Sequence, residues 1–195
     1  MNAPREDYLA AIDHFLGRVA AAEGGDLSAP GLGSWTRREL IAHTARALAT
    51  VDAYLVEDPS LDVEVPGPAA YFAALASGDQ EAVAARGRQA ALDAGPDLTG
   101  HVRGLAETAR ARVRGASAQA RVRTPAGVMM LDDYLPTRTF ELVVHSLDLD
   151  PAAPPSGELQ HLVLTLLRDL ALLRGLGPQA IAALTGRGDR FSLLT

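Results

Sequence analysis

Apolar positions recur every three or four residues through most of the chain, and the segments they mark predict helices. Tyr8, Leu9, Ile12, Phe15, Leu16 and Val19 define the first, which stops at Gly24-Gly25. A Gly/Pro/Ser loop leads to "WTRRELIAH", where Thr36 and Glu39 have the spacing of a capping box, and Trp35 and Leu40 the spacing of a hydrophobic staple. The second helix therefore starts at Thr36, with Leu40, His43 or Thr44, Ala47, Leu48, Val51 and Leu55 facing inward. Glu57 to Pro68 is acidic and Pro-containing, and reads as a surface loop. A third helix is expected from near Ala69, interrupted at Ser77-Gly78 and resuming from Asp79 to about Ala94, and a fourth from Leu98 to Gly115. Residues 120–130 alternate and turn at Pro125-Ala126-Gly127, which predicts a short hairpin or extended crossover. The fifth helix is expected to begin at Asp132-Asp133, with Pro136 tolerable only in its first turn, and to run to Leu149. After the Pro-rich "DPAAPPSG" come an apolar helix through Leu159 to Leu170, a shorter one from Pro178 to Leu184, and an extended closing stretch, "TGRGDRFSLLT". The pattern predicts an all-α fold: a helical bundle over residues 1–150 and a Pro-rich linker with a helical segment over 151–195, packing on the bundle.

Composition narrows the function classes. The net charge is −6, and the basic residues, all arginine, are scattered rather than massed, which argues against a nucleic-acid surface or an anionic membrane. The N-terminus has no signal-peptide pattern, and no stretch approaches the ~18 apolar residues of a membrane span, so a cytoplasmic location is expected. There is no cysteine. Disulfides and thiolate metal sites are thereby excluded, and any sulfur chemistry must use a thiol brought from outside.

The fifth helix carries the candidate chemistry. Tyr134, Arg138, Glu141, His145 and Asp148 follow one another at steps of four, three, four and three, and so share one stripe of a helix that is otherwise apolar almost all round. Glu141 and His145, one turn apart, can offer an oxygen and an imidazole nitrogen to one metal ion, and His43, on the inward face of another helix, is the best third ligand. Two histidines and a carboxylate leave positions open for water or substrate, as in catalytic sites. The same residues have plainer readings. Glu141 and His145 also suit an ordinary helix-surface pair, and His43 a core histidine. Asp148 reads as a helix-end bridge or as a partner supporting a ligand. Arg46 and Arg138 read as grips for a carboxylate or thiol cofactor, or as solvated arginines. Tyr134 suits core and proton donor equally, and His14, His101 and His161 read as structural or exposed.

The segments "SWTRRELIAHTAR" and "DDYLPTRTFELVVHSLDL" resemble the two signatures of the mycothiol-dependent maleylpyruvate isomerase family, within the DinB-like superfamily of metal-binding four-helix bundles. The closing "ALTGRGDRFSLLT" resembles the tail of that family's shorter members. The resemblance implies a DinB-like bundle with a hairpin insertion and a C-terminal helical extension. It implies a divalent metal, usually zinc, on His43, Glu141 and His145; the ligand types alone also admit nickel, iron or manganese. It further implies mycothiol as co-substrate, held as a metal-bound thiolate that adds to a small electrophile, and either an isomerisation or a thiol transfer. The isomerase itself carries a separate C-terminal domain that completes its active site, whereas residues 151–195 are the extent here, so the electrophile stays open. A thiol-independent lyase, cyclase or hydrolase using the same metal, and a non-catalytic small-molecule-binding bundle, are the rival readings. The expected partners are a small-molecule substrate and a low-molecular-weight thiol, with no nucleic acid and no membrane, in a monomer or homodimer.

Overall fold

A computed structural model of the chain describes residues 2–75, 80–188 and 193, and the statements below concern those residues. The first two helices are α1 (Ala3–Ala22) and α2 (Arg37–Tyr54), the latter running into a two-residue strand β1 (Leu55–Val56). Next come α3 (Pro68–Leu75), α4 (Gln80–Asp93) and α5 (Leu98–Gly115). A hairpin, β2 (Arg121–Thr124) and β3 (Gly127–Met130), leads into α6 (Leu131–Leu149), and α7 (Gly157–Leu173) and α8 (Gly177–Leu184) follow.

The four long helices close a ring in which α1 packs on α6, α6 on α2, α2 on α5, and α5 back on α1. Their inward faces make the core, with Tyr8, Ile12, Phe15, Leu40, Leu48, Val102, Tyr134, Leu135 and Leu142 all sealed from solvent. The fold is thus the all-α bundle expected, with a small three-stranded sheet at one side. α4 lies against α2, α3 bridges to α7, α7 packs on α6 and α3, and α8 rests on α7 with none of its residues buried.

Local chemistry explains most boundaries. The capping box at the start of α2 is complete: Glu39 N–H donates to Thr36 Oγ1 at 3.2 Å, and Thr36 N–H donates to the Glu39 carboxylate at 2.7 Å. α5 has both predicted ends, and its Asp97 cap accepts from Gly100 N–H at 2.8 Å. α6 starts one residue before the predicted acids, directly off β3, and Asp132 in its first turn pairs with Arg5 at 2.7 Å.

Pro136 corrects an expectation. It lies inside α6, beyond the first turn, where its missing N–H and its ring cost ~3 kcal/mol. The helix continues through it because α6 is held by α1, α2, α3 and α7 at once. Burial of Leu131, Leu135, Phe140, Leu142 and Val143 outweighs one lost hydrogen bond.

The predicted hairpin is present, with Arg121 opposite Met130 and Thr124 opposite Gly127. The turn requires Gly127, whose φ of +123° disfavours a side chain. Its partner on the other side, β1, is antiparallel to β2 with Leu55 opposite Val122, a pairing the sequence pattern did not signal. The predicted interruption at Ser77-Gly78 and most of the closing stretch lie outside the described residues. No helix among the described residues is long and apolar enough to cross a membrane.

Candidate metal centre

The packing of α2 on α6 brings His43 against Glu141 and His145. One ligand atom from each of the three lies within 4.8 Å of the others, and no other cluster of that kind exists among the described residues. On α6 the i, i+4 spacing places His145 Nε2 3.3 Å from a Glu141 carboxylate oxygen. The other ring nitrogen, Nδ1, sits 2.9 Å from Asp148 Oδ2. The two imidazoles meet edge to face, with centroids 5.4 Å apart. The site is deep but reachable, the side chains of Glu141 and His145 being 24% and 13% exposed.

His43 is held by a residue whose role differs from the one its spacing suggested. Trp35 precedes the Thr36 cap, as a staple would, but its indole lies on the His43 ring at 4.3 Å and donates its Nε1–H to the Ala84 carbonyl of α4 at 3.1 Å. α4 makes room for it with Gly87, where a Cβ would stand 2.7 Å from the indole carbons. A mid-helix glycine costs ~1 kcal/mol against alanine, and this close approach accounts for it. The indole is therefore wedged between Gly87 and the imidazole.

The electrostatics sort the three donors. Burial, followed by the neighbouring His145 ring, pushes His43 down to about 4. Its Nδ1 is sealed from solvent with no hydrogen-bond partner, an arrangement that costs ~1–3 kcal/mol when nothing satisfies it. Burial alone would raise the Glu141 carboxyl, but the His145 hydrogen bond and then the Arg138 guanidinium overcome it and hold the group down at about 2. Burial would likewise lower His145, but hydrogen bonds to Asp148 and Glu141 prevail and raise it to about 9. Near neutral pH the cluster thus presents a neutral imidazole, a carboxylate and an imidazolium clamped between two acids. A divalent cation fits this donor set. Glu141 is already ionised, His43 is unprotonated with an orphaned nitrogen, and His145 would give up one proton from the nitrogen facing Glu141. Asp148 would keep Nδ1–H oriented, as carboxylates behind metal-bound histidines do.

The remaining predicted residues separate. Arg138 is not a surface arginine: it is 8% exposed, lies between the rings of Tyr71 and Tyr134 at 5.4 and 4.9 Å, and donates from Nε to Thr137 Oγ1 at 3.0 Å. Arg46 is half-buried on α2, close enough to depress His43, and makes no side-chain hydrogen bond or ion pair among the described residues. Tyr134 belongs to the core, wholly buried with its hydroxyl donating to Thr50 Oγ1 at 2.9 Å. His101 and His161 are exposed, and His14 is half-buried with Nε2 unpartnered. Tyr71, supplied by α3, was not anticipated, since nothing in its short helix sets it apart from a core aromatic.

Fold and site together define a four-helix-bundle protein with two histidines and a glutamate gathered where two of its helices meet. Residues 8–150, from within α1 to the end of α6, match the family model described as the mycothiol maleylpyruvate isomerase N-terminal domain, and the chain belongs to that family. No curated protein and no solved structure matches the chain.

Proposed function

We propose that this protein is a metal-dependent, mycothiol-using thiol transferase or isomerase acting on a small electrophilic substrate. The observation that carries the reading is the convergence of His43, Glu141 and His145 donors within 4.8 Å, with a buried His43 nitrogen that nothing in the fold satisfies. Membership of a family whose description names mycothiol supports an external thiol as co-substrate, and the absence of cysteine agrees with it.

A divalent ion such as zinc, bound by these three residues, would hold a thiol deprotonated near neutral pH. The chain's own residues supply the rest. Trp35 fixes the plane of His43 and Asp148 fixes the tautomer of His145. The ordered partners behind each histidine preorganise the site.

The test has two parts. Zinc content of the purified protein is measured beside that of His43→Ala and Glu141→Gln variants, and the zinc-loaded protein is then titrated calorimetrically with mycothiol. One zinc per chain, lost in both variants, together with mycothiol binding that depends on zinc, is the expected result. Zinc without thiol binding would favour a thiol-independent lyase, cyclase or hydrolase. Absence of stoichiometric metal would sink the proposal.

A further inference from the structure

Arg138 is a buried cation without an acid of its own. No carboxylate lies within ion-pair distance of it among the described residues, and the nearest acid on its own helix, Glu141, is engaged by His145 at 3.3 Å. Its hydrogen bonds run from Nε to Thr137 Oγ1 at 3.0 Å and from Nη2 to the Tyr71 hydroxyl at 3.4 Å, the second of them long. Nη1 has no partner, yet it is not among the polar atoms sealed from solvent, so it faces accessible space. Buried arginines are ordinarily paired with an acid. The faces of Tyr71 and Tyr134 hold the guanidinium plane in place but carry no formal charge, and Glu141 acts on it only through space, with no direct ion pair. A fixed, desolvated guanidinium with a free edge, one helical turn from Glu141, is suited to receive an anion from outside the chain.

We infer that Arg138 is the binding subsite for a carboxylate of the substrate, beside the His43–Glu141–His145 cluster. A carboxylate is planar, carries one charge and matches the fork of a single guanidinium. A phosphate dianion would call for a second cation, and Arg138 stands between two tyrosines. The inference rests on the proposed function only in placing this carboxylate next to a reacting centre.

The test uses succinate and its uncharged dimethyl ester as probes, titrated calorimetrically into the zinc-loaded protein and into protein stripped of metal with a chelator. The wild type is expected to bind succinate about tenfold or more tightly than the ester in both forms, as a charged hydrogen bond warrants. Arg138→Met should abolish that preference while retaining its zinc and its helical circular dichroism, and Arg138→Lys should keep part of it. Succinate binding by Arg138→Met within twofold of wild type, or no preference for the anion in wild type, overturns the inference. Should Arg138→Met fail to fold, the acid-against-ester comparison in wild type and Arg138→Lys decides. A protein that takes up no zinc refutes the proposed function, yet an Arg138-dependent preference for succinate in the stripped protein would leave this inference standing.

Discussion

Zinc binding at pH 7 should release one proton, and that proton should come from His145. The three candidate ligands differ in what they must give up. Glu141, held at about 2, is ionised, and His43, pushed down to about 4, is neutral. His145, raised to about 9 by Asp148 and Glu141 against the effect of burial, is ~99% protonated at pH 7. Metal and proton compete for His145 Nε2, because Asp148 occupies Nδ1. Zinc affinity should therefore rise about tenfold per pH unit from ~5 to ~9 and level off above. At pH 7 it should lie about 100-fold below that plateau. Below about pH 4 the His43 proton joins the competition and the slope should approach two. The assay is calorimetry at pH 7 in buffers of different ionisation enthalpy, whose slope counts protons. It is complemented by zinc titrations across pH followed by the fluorescence of Trp35, the only tryptophan in the chain, which lies 4.3 Å from the His43 ring. A release near zero would refute the clamped imidazolium, and a release near two would refute the neutral His43.

The same geometry sets the other expectations. Replacing Asp148 by Ala removes the acceptor behind His145; at pH 9.5, where the proton no longer competes, zinc affinity should fall about 10–100-fold, and an unchanged affinity would show that Asp148 merely decorates the helix end. In the metal-free protein the raised His145 contributes stability that is complete below its unfolded value near 6.5 and is lost as pH rises through about 9, so urea unfolding should show a decline of about 3 kcal/mol between pH 6 and pH 9.5 that saturating zinc removes. Gly87→Ala should shift Trp35 fluorescence and weaken zinc binding despite the better helix propensity of alanine, since its Cβ would stand 2.7 Å from the indole; a more stable variant with unaltered emission would contradict the wedge. Arg5, 8% exposed, joins Asp132 of α6 at 2.7 Å to the carbonyls of Ala116 and Ser117, each at 2.7 Å, beyond the end of α5, so Arg5→Met should cost about 2–4 kcal/mol in denaturant unfolding while leaving zinc affinity unchanged.

Helix positions were legible wherever one side chain and its own backbone decide them. Thr36 with Glu39 marks the start of α2, because a cap is a contact across three residues. The hairpin was legible from alternation on both sides of a glycine turn. β1 was not, since two residues carry no period and its partner strand lies more than 60 residues away in sequence. Pro136 was misplaced for a related reason. Local rules rank it as a helix breaker outside the first turn, and what overrides them is the packing of four other helices on α6, which no local window contains.

In the site the same division falls between spacing and facing. Glu141 and His145 share one helix, so four residues of separation suffice to place them together, and three more place Asp148 against the other nitrogen of His145. His43 could be nominated because a polar group on a well-capped inward face needs a partner. Trp35 and Arg138 depended on what stands opposite. The staple spacing of Trp35 is genuine, but the ring turns to His43 because Gly87, on α4, leaves a slot that no other residue type would leave. Arg138 read equally as solvated or functional until Tyr71 of α3 and Tyr134 of its own helix closed over it. Each of these residues costs the fold something: a glycine inside a helix, an imidazole nitrogen without a partner, a cation without an acid. The indole packed against Gly87 explains the first, whereas nothing packed around them satisfies the nitrogen or pairs the cation. A bound metal ion would account for the nitrogen and a bound carboxylate for the cation, while the glycine keeps Trp35 where it fixes the imidazole. The nitrogen and the cation therefore argue for an occupied site, the first offset by a metal ion and the second by an anion.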